Sequence, residues 1–158
     1  GFSAQMEEDF LHIFAFDFRD KKSEFKRNVK NINKFTYTVC GIGDKIGHSY
    51  TSSNRVGRIK DRGDIKVPIK TLDSFEYENV GFIKYDIEGY ELRAIKGSEK
   101  TIKKYYPVII VEQNKGDIDS VKLLKEWGYE LKGIDEMFKN DYLMVKAWST
   151  QRYQCQHS

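Results

Sequence analysis

Asp86, Glu88 and Glu91 fall in one short stretch, Phe82-Ile-Lys-Tyr-Asp-Ile-Glu-Gly-Tyr-Glu91, where an apolar run gives way to acids and a glycine. Carboxylates grouped in this way can take a proton from a hydroxyl, accept hydrogen bonds from sugar hydroxyls or hold a hard cation. Two other apolar runs also end in acids: Phe14-Ala-Phe16 is followed by Asp17, and Val108-Ile-Ile-Val111 by Glu112. In an open α/β sheet, ligands bind in the crevice beyond the carboxyl ends of the strands. Asp17, Asp86 and Glu112 therefore mark a candidate polar ligand site along one sheet edge. His12, His48 and His157 are scattered, and Cys40 and Cys155 have neither metal-ligand spacing nor a disulfide framework. No zinc site is expected, and no residue is assigned as a metal ligand.

The elements that must position these acids follow from periodicity. Val80, Phe82, Ile83 and Tyr85 read as a short buried strand, while Leu92, Ile95 and Ile102 suit a helix face that continues through Ser98–Tyr105. Leu11–Phe18 is too apolar for an exposed strand and is expected as an interior parallel strand ending at Asp17. A short helix over Ser3–Phe10 precedes it. Residues 20–31 give a surface helix with Phe25 and Val29 on its apolar stripe, followed by a strand at Phe35–Cys40, a glycine turn at Gly41–Gly47 and a strand at His48–Ser53. Asn54–Asp64 reads as a basic loop. Pro68 confines Ile65–Lys70 to an edge strand or extended segment, and Thr71 or Asp73 caps a one-turn helix after it. Pro107–Glu112 is a buried strand, Asp117–Trp127 a helix stopped by Gly128, and Tyr129–Ile134 with Tyr142–Lys146 an antiparallel pair. Lys84, among apolar neighbours, must find a carboxylate such as Glu112 or Asp73.

Strands alternating with helices predict an α/β fold: a mostly parallel sheet covered on both faces, with an antiparallel pair at its C-terminal edge. Residues 1–148 form one domain on size, and 149–158 read as a disordered polar tail. Hydrophobic residues make up 39%, charged residues 32% and aromatics 14%, the composition of a globular protein with an aromatic-rich core. A net charge of +3 is too small for a nucleic-acid footprint, and the basic loop lacks interleaved aromatics. No apolar run approaches the roughly 20 residues of a membrane helix. The expectation is a cytoplasmic protein with reduced thiols, bound to neither nucleic acid nor membrane.

Three segments in order, Lys66-Val-Pro-Ile-Lys-Thr-Leu-Asp-Ser74, Phe82–Glu91 and Pro107-Val-Ile-Ile-Val-Glu112, resemble the FkbM-type methyltransferases. Upstream, Phe14-Ala-Phe-Asp17 and Gly41-Ile-Gly-Asp44 are similar to further family segments, so the resemblance runs to about Lys146. It implies a Rossmann-like class I methyltransferase sheet and S-adenosylmethionine as cofactor, with a hydroxyl of a sugar or natural product as acceptor. On that resemblance Asp17 receives the ribose hydroxyls, with Phe18 beside it, and the backbone of Gly41 and Ile42 flanks the adenine. Asp86 and Glu88 would be the catalytic carboxylates that take the hydroxyl proton. A Mg²⁺ ion on carboxylate oxygens is the other route to activating the hydroxyl.

The family's first strand and glycine-rich turn have no counterpart, so the domain is expected to be N-terminally incomplete. The unpaired edges left behind invite pairing with a second copy of the chain. A truncated, non-catalytic remnant or binding module is the alternative to an enzyme.

Overall fold

The computed structural model describes residues 10–51, 59, 62–63, 65–112, 118–134 and 141–147. The expected tail at 149–158 and nearly all of the Ser3–Phe10 helix and the Asn54–Asp64 loop lie outside them. The chain runs β1 (Ile13–Asp17), α1 (Lys22–Asn28), β2 (Phe35–Val39), β3 (Gly41–Ile42), β4 (Gly47–Thr51) and β5 (Ile65–Lys70). It continues β6 (Phe82–Tyr85), α2 (Glu91–Lys96), α3 (Glu99–Tyr105), β7 (Val108–Glu112), α4 (Asp119–Glu126), β8 (Tyr129–Ile134) and β9 (Asp141–Lys146). The hydrogen-bonded orders are β1-β2, β3-β5-β4 and β6-β7-β9-β8.

The mixed α/β class holds, but a mostly parallel sheet does not emerge. The pairs β1–β2, β3–β5 and β6–β7 are parallel, whereas β4–β5, β7–β9 and β8–β9 are antiparallel. The C-terminal antiparallel pair is present, and β9 rather than β8 docks on β7, which leaves β8 outermost.

Two local expectations are corrected. β1 is not an interior strand among the described residues: it pairs only with β2, none of its residues is fully buried and Phe14 is 40% exposed. Its apolar side chains meet rings instead of a second strand. Phe14 stacks on Tyr77 with centroids 3.9 Å apart, and Phe16 meets Phe75 at 5.1 Å. Conversely, β5 carries Pro68 at the centre of its sheet. This is tolerated on the β3 side because β3 lies opposite Ile69 and Lys70 only, so no ladder bond is asked of the proline there.

The main core lies between the β6-β7-β9 surface and its helices, where Ala94, Ile95, Ile102, Ile109, Leu124 and Met144 are fully buried. Burying each large aliphatic side chain is worth about 1.5–3 kcal/mol. The helical run expected through Ser98–Tyr105 breaks into α2 and α3 at Gly97 and Ser98. Asp73 sits at the start of α3, where its carboxylate accepts from the Lys100 and Thr101 amides at 3.0 and 2.9 Å and from the Thr101 hydroxyl at 2.8 Å. Thr71 caps its own one-turn helix through the Ser74 amide at 3.1 Å. Gly128 ends α4 with φ 89°, the left-handed conformation that glycine adopts without strain. No helix of the described residues is long and apolar enough to cross a membrane.

Candidate active site

The acids gather where β6, β7 and β9 end on the same side. Glu112 closes β7 opposite Asp141, the first residue of antiparallel β9, and β6 lies on the other flank of β7 with Tyr85 paired to Val111. Asp86 follows Tyr85, so neighbouring strands present Asp86, Glu112 and Asp141 in a row. Strand alternation points Lys84 and Asp86 to the same face. Lys84 Nζ lies 3.3 Å from Asp86 Oδ2 and 3.1 Å from Asp141 Oδ2. Its side chain is 13% exposed and that of Asp141 5%, against 52% for Asp86. Burial alone would lower the Lys84 pKa, but the hydrogen bond to Asp141 and the charges of both aspartates raise it above the usual lysine value. The ammonium is therefore held charged. The expected partners of Lys84 were Glu112 or Asp73; Asp73 is engaged by α3, and Asp141 fills the place.

Glu91 is a structural member of the junction. It is 1% exposed, and its Oε1 accepts the Ile87 and Gly89 amides at 3.2 and 3.1 Å. These bonds satisfy donors that the turn before α2 would otherwise leave open. The turn itself needs left-handed backbone at Glu88 (φ 54°) and Gly89 (φ 92°), and the buried Glu91 carboxylate holds the amides on either side of Glu88. Asp86 does not cap α2, whose N-cap residue is Tyr90 with no side-chain cap bond. The Asp86 and Glu88 side chains are exposed at the mouth of the junction.

Glu112 is the acid whose chemistry is most altered. Its Oε2 is buried without a hydrogen-bond partner among the described residues. Burial first, then the facing Asp86 carboxyl and the charges of Glu88 and Glu91, push its pKa up to about 7.

Asp17 and the Gly41–Ile42 segment form the second group. Asp17 is paired in register with Val39, so the end of β1 stands beside the segment leading into Gly41. Its carboxylate accepts the Arg19 amide at 2.9 Å and Arg19 Nε at 3.2 Å, and the guanidinium lies 5.2 Å over the Phe18 ring. Gly41 and Ile42 are buried and paired with Ile69 and Lys70. A Cβ on Gly41 would meet the Cδ1 ends of the Ile59 and Ile69 side chains at 2.7 Å, which would have to shift to admit it. Asp17 has the acceptor chemistry that ribose hydroxyls need, whereas the backbone of Gly41 and Ile42 is largely taken up by β5. For a metal the fit is poor. Among the described residues no group of three or more His, Cys, Asp or Glu side chains is placed to hold one, and the cation meeting Asp86 is the Lys84 ammonium.

The sequence pointed to Asp17, Asp86, Glu88 and Glu112 as acids at element ends, but not to Asp141. That residue follows a polar loop, and its role depends on β9 docking beside β7, a long-range pairing without a local signal.

Fold and site together define an α/β domain with a row of carboxylates at its strand ends. The chain belongs to the FkbM methyltransferase family: residues 17–131 of its 158 match the model of the methyltransferase FkbM domain. The crystal structure of a methyltransferase FkbM from Methylobacillus flagellatus is similar in fold, with a TM-score of 0.61 and 18% sequence identity. The match covers 85% of this chain but 36% of that one. No curated protein matches the chain.

Proposed function

We propose that this domain takes part in S-adenosylmethionine-dependent methyl transfer to a hydroxyl, with a carbohydrate or natural-product alcohol as acceptor. The observation that carries the reading is the carboxylate row at the ends of β6 and β7, in a chain of the FkbM methyltransferase family. Bound cofactor would supply an electrophilic methyl group on a sulfonium. Asp17 binds the ribose hydroxyls, with Phe18 and the Gly41–Ile42 segment along the adenosine. The junction carboxylates, Asp86 and Glu88 among them, orient the acceptor hydroxyl and receive its proton. Orientation and proton removal together are what such a transfer asks of the protein, general-base help adding about 10²–10⁴-fold. The partner is a small molecule rather than nucleic acid or membrane, and the compartment is the cytoplasm. Self-association would use the outer edge of β1 or β6, neither of which has a second strand neighbour among the described residues.

A binding module without turnover is the second reading, favoured by the Arg19 pairing that already occupies Asp17. Calorimetric titration with S-adenosylhomocysteine separates the two. Binding that is abolished by Asp17→Ala supports the enzyme. No binding at millimolar ligand by folded protein sinks it, and affinity unchanged by Asp17→Ala removes the ribose assignment.

A further inference from the structure

The methyl-transfer reading leaves the hydroxyl proton with the junction carboxylates as a group, and their surroundings distinguish them. Asp86 is half exposed, and its carboxylate is already paired with the Lys84 ammonium. Glu88 is exposed at the turn. Glu91 is buried, but its Oε1 is committed to the Ile87 and Gly89 amides. Asp141 is buried against Lys84. Glu112 alone combines a strand-end position in the centre of the row with a buried oxygen, Oε2, that has no hydrogen-bond partner among the described residues.

We infer that Glu112 is the proton acceptor of the transfer, that Asp86 shares the proton with it, and that Lys84 is a positioning residue that fixes Asp86 from the other side. The inference rests on the methyl-transfer reading above. The acceptor oxygen forms a bond to the methyl carbon as the carbon–sulfur bond of the sulfonium breaks, its electron pair remaining on sulfur. The hydroxyl proton passes to the Glu112 carboxylate, so charge is conserved: sulfonium and carboxylate become thioether and carboxylic acid. The charges of Asp86, Glu88 and Glu91 act on Glu112 in one direction. Asp86, Glu88 and Glu91 face it from the β6–α2 junction, and Asp141 stands opposite it on β9, with Lys84 as the cation bound in the row. With both Asp86 and Glu112 ionised their oxygens only repel. One proton turns the contact into a hydrogen bond, as in carboxyl pairs that cannot both ionise. Burial and these neighbours bring Glu112 to about 7, a base matched to neutral conditions.

The test joins a spectroscopic titration to binding and turnover. In protein carrying ¹³C-labelled glutamate side chains, the carboxyl signal lost in Glu112→Gln should titrate near neutrality, and Asp86→Asn should move that titration towards the ordinary carboxylate range. Glu112→Gln should bind S-adenosylhomocysteine within about twofold of wild type while methyl transfer to UDP-glucose, UDP-galactose or GDP-mannose falls about 10²–10⁴-fold. The alkaline rise of the pH–rate profile should vanish with it. Lys84→Met should shift that profile, which a residue serving stability alone would not do. An ordinary titration of Glu112, or Glu112→Gln turnover that keeps the wild-type pH profile, overturns this assignment and leaves the methyl-transfer reading standing. Failure of the wild type to bind S-adenosylhomocysteine overturns that reading and the catalytic role together, even where the shared proton is seen.

Discussion

Lys84 Nζ and Asp141 Oδ2 meet at 3.1 Å across 57 residues of chain, and the pair joins β6 to β9 at the carboxylate row. Its two partners are not equivalent. Asp141 is almost wholly buried and has Lys84 as its cation, whereas Lys84 also holds the half-exposed Asp86. Lys84→Met strands a buried carboxylate and is expected to cost about 3 kcal/mol in urea unfolding. Asp141→Asn keeps a polar acceptor and leaves Lys84 with Asp86, so its cost should be about 1.5 kcal/mol. Combining Lys84→Met with Asp141→Leu removes both charges and should recover much of the first loss. Equal costs for the two single changes would refute this asymmetry.

Glu91 holds the turn before α2 through the Ile87 and Gly89 amides. Glu91→Ala opens a cavity and deprives both donors, with an expected loss of about 1–3 kcal/mol. Glu91→Gln retains one acceptor oxygen and should lose less. The local readout is amide hydrogen exchange: Ile87 and Gly89 should exchange faster in Glu91→Ala than the α2 amides after Ala94. Unchanged protection at those two amides would show that the turn is held by its backbone alone.

The strands around the site were legible because each is a short apolar run closed by an acid, as at Phe82–Tyr85 and Val108–Glu112. The α4 face was legible from Val121 and Leu124 at helical spacing. What failed depended on distant partners. Leu11–Phe18 has the composition of an interior strand, yet composition cannot report that its rings pack against Phe75 and Tyr77 in place of a second strand. Pro68 signalled an edge, but the brevity of β3 lets a proline stand in a central strand. The division of the acids followed the same logic. Their presence at element ends was visible, whereas the commitment of Glu91 to two amides and of Asp141 to Lys84 arises only when the chain is folded.

Gly97 separates α2 from α3, where the sequence alone suggests one continuous helix. Its φ is −77°, which any residue can adopt, so conformation does not require glycine. Space does: a Cβ there would run into the carbonyl oxygen of Gly43, and Gly97 also accepts the Asp73 amide at 3.0 Å. Because the obstacle is backbone, side-chain repacking cannot relieve it. Gly97→Ala should destabilise by about 3 kcal/mol or more, the upper range of overpacking. Gly89→Ala meets no neighbouring atom and acts only through its positive φ, with a cost of about 1 kcal/mol. Thermal unfolding of the two variants should therefore rank Gly97→Ala well below Gly89→Ala.

The raised pKa of Glu112 also makes stability depend on pH. Its ordinary value is 4.5 and its folded value about 7, through burial first and then the facing Asp86 with the Glu88 and Glu91 charges. The folded chain thus binds this proton more tightly than the unfolded chain does. Its contribution is fully present below pH 4.5, declines as pH rises between the two values, and is gone above about 7. Glu112→Gln stays neutral throughout. Relative to wild type it should show a flat urea midpoint across that window and greater stability on its alkaline side. Asp86→Asn should move the wild-type decline to lower pH by removing one facing charge. Midpoints measured from about pH 4 to about pH 8 check the sign. A wild type that gains stability relative to Glu112→Gln as pH rises would mean that Glu112 is ionised and satisfied in the folded chain.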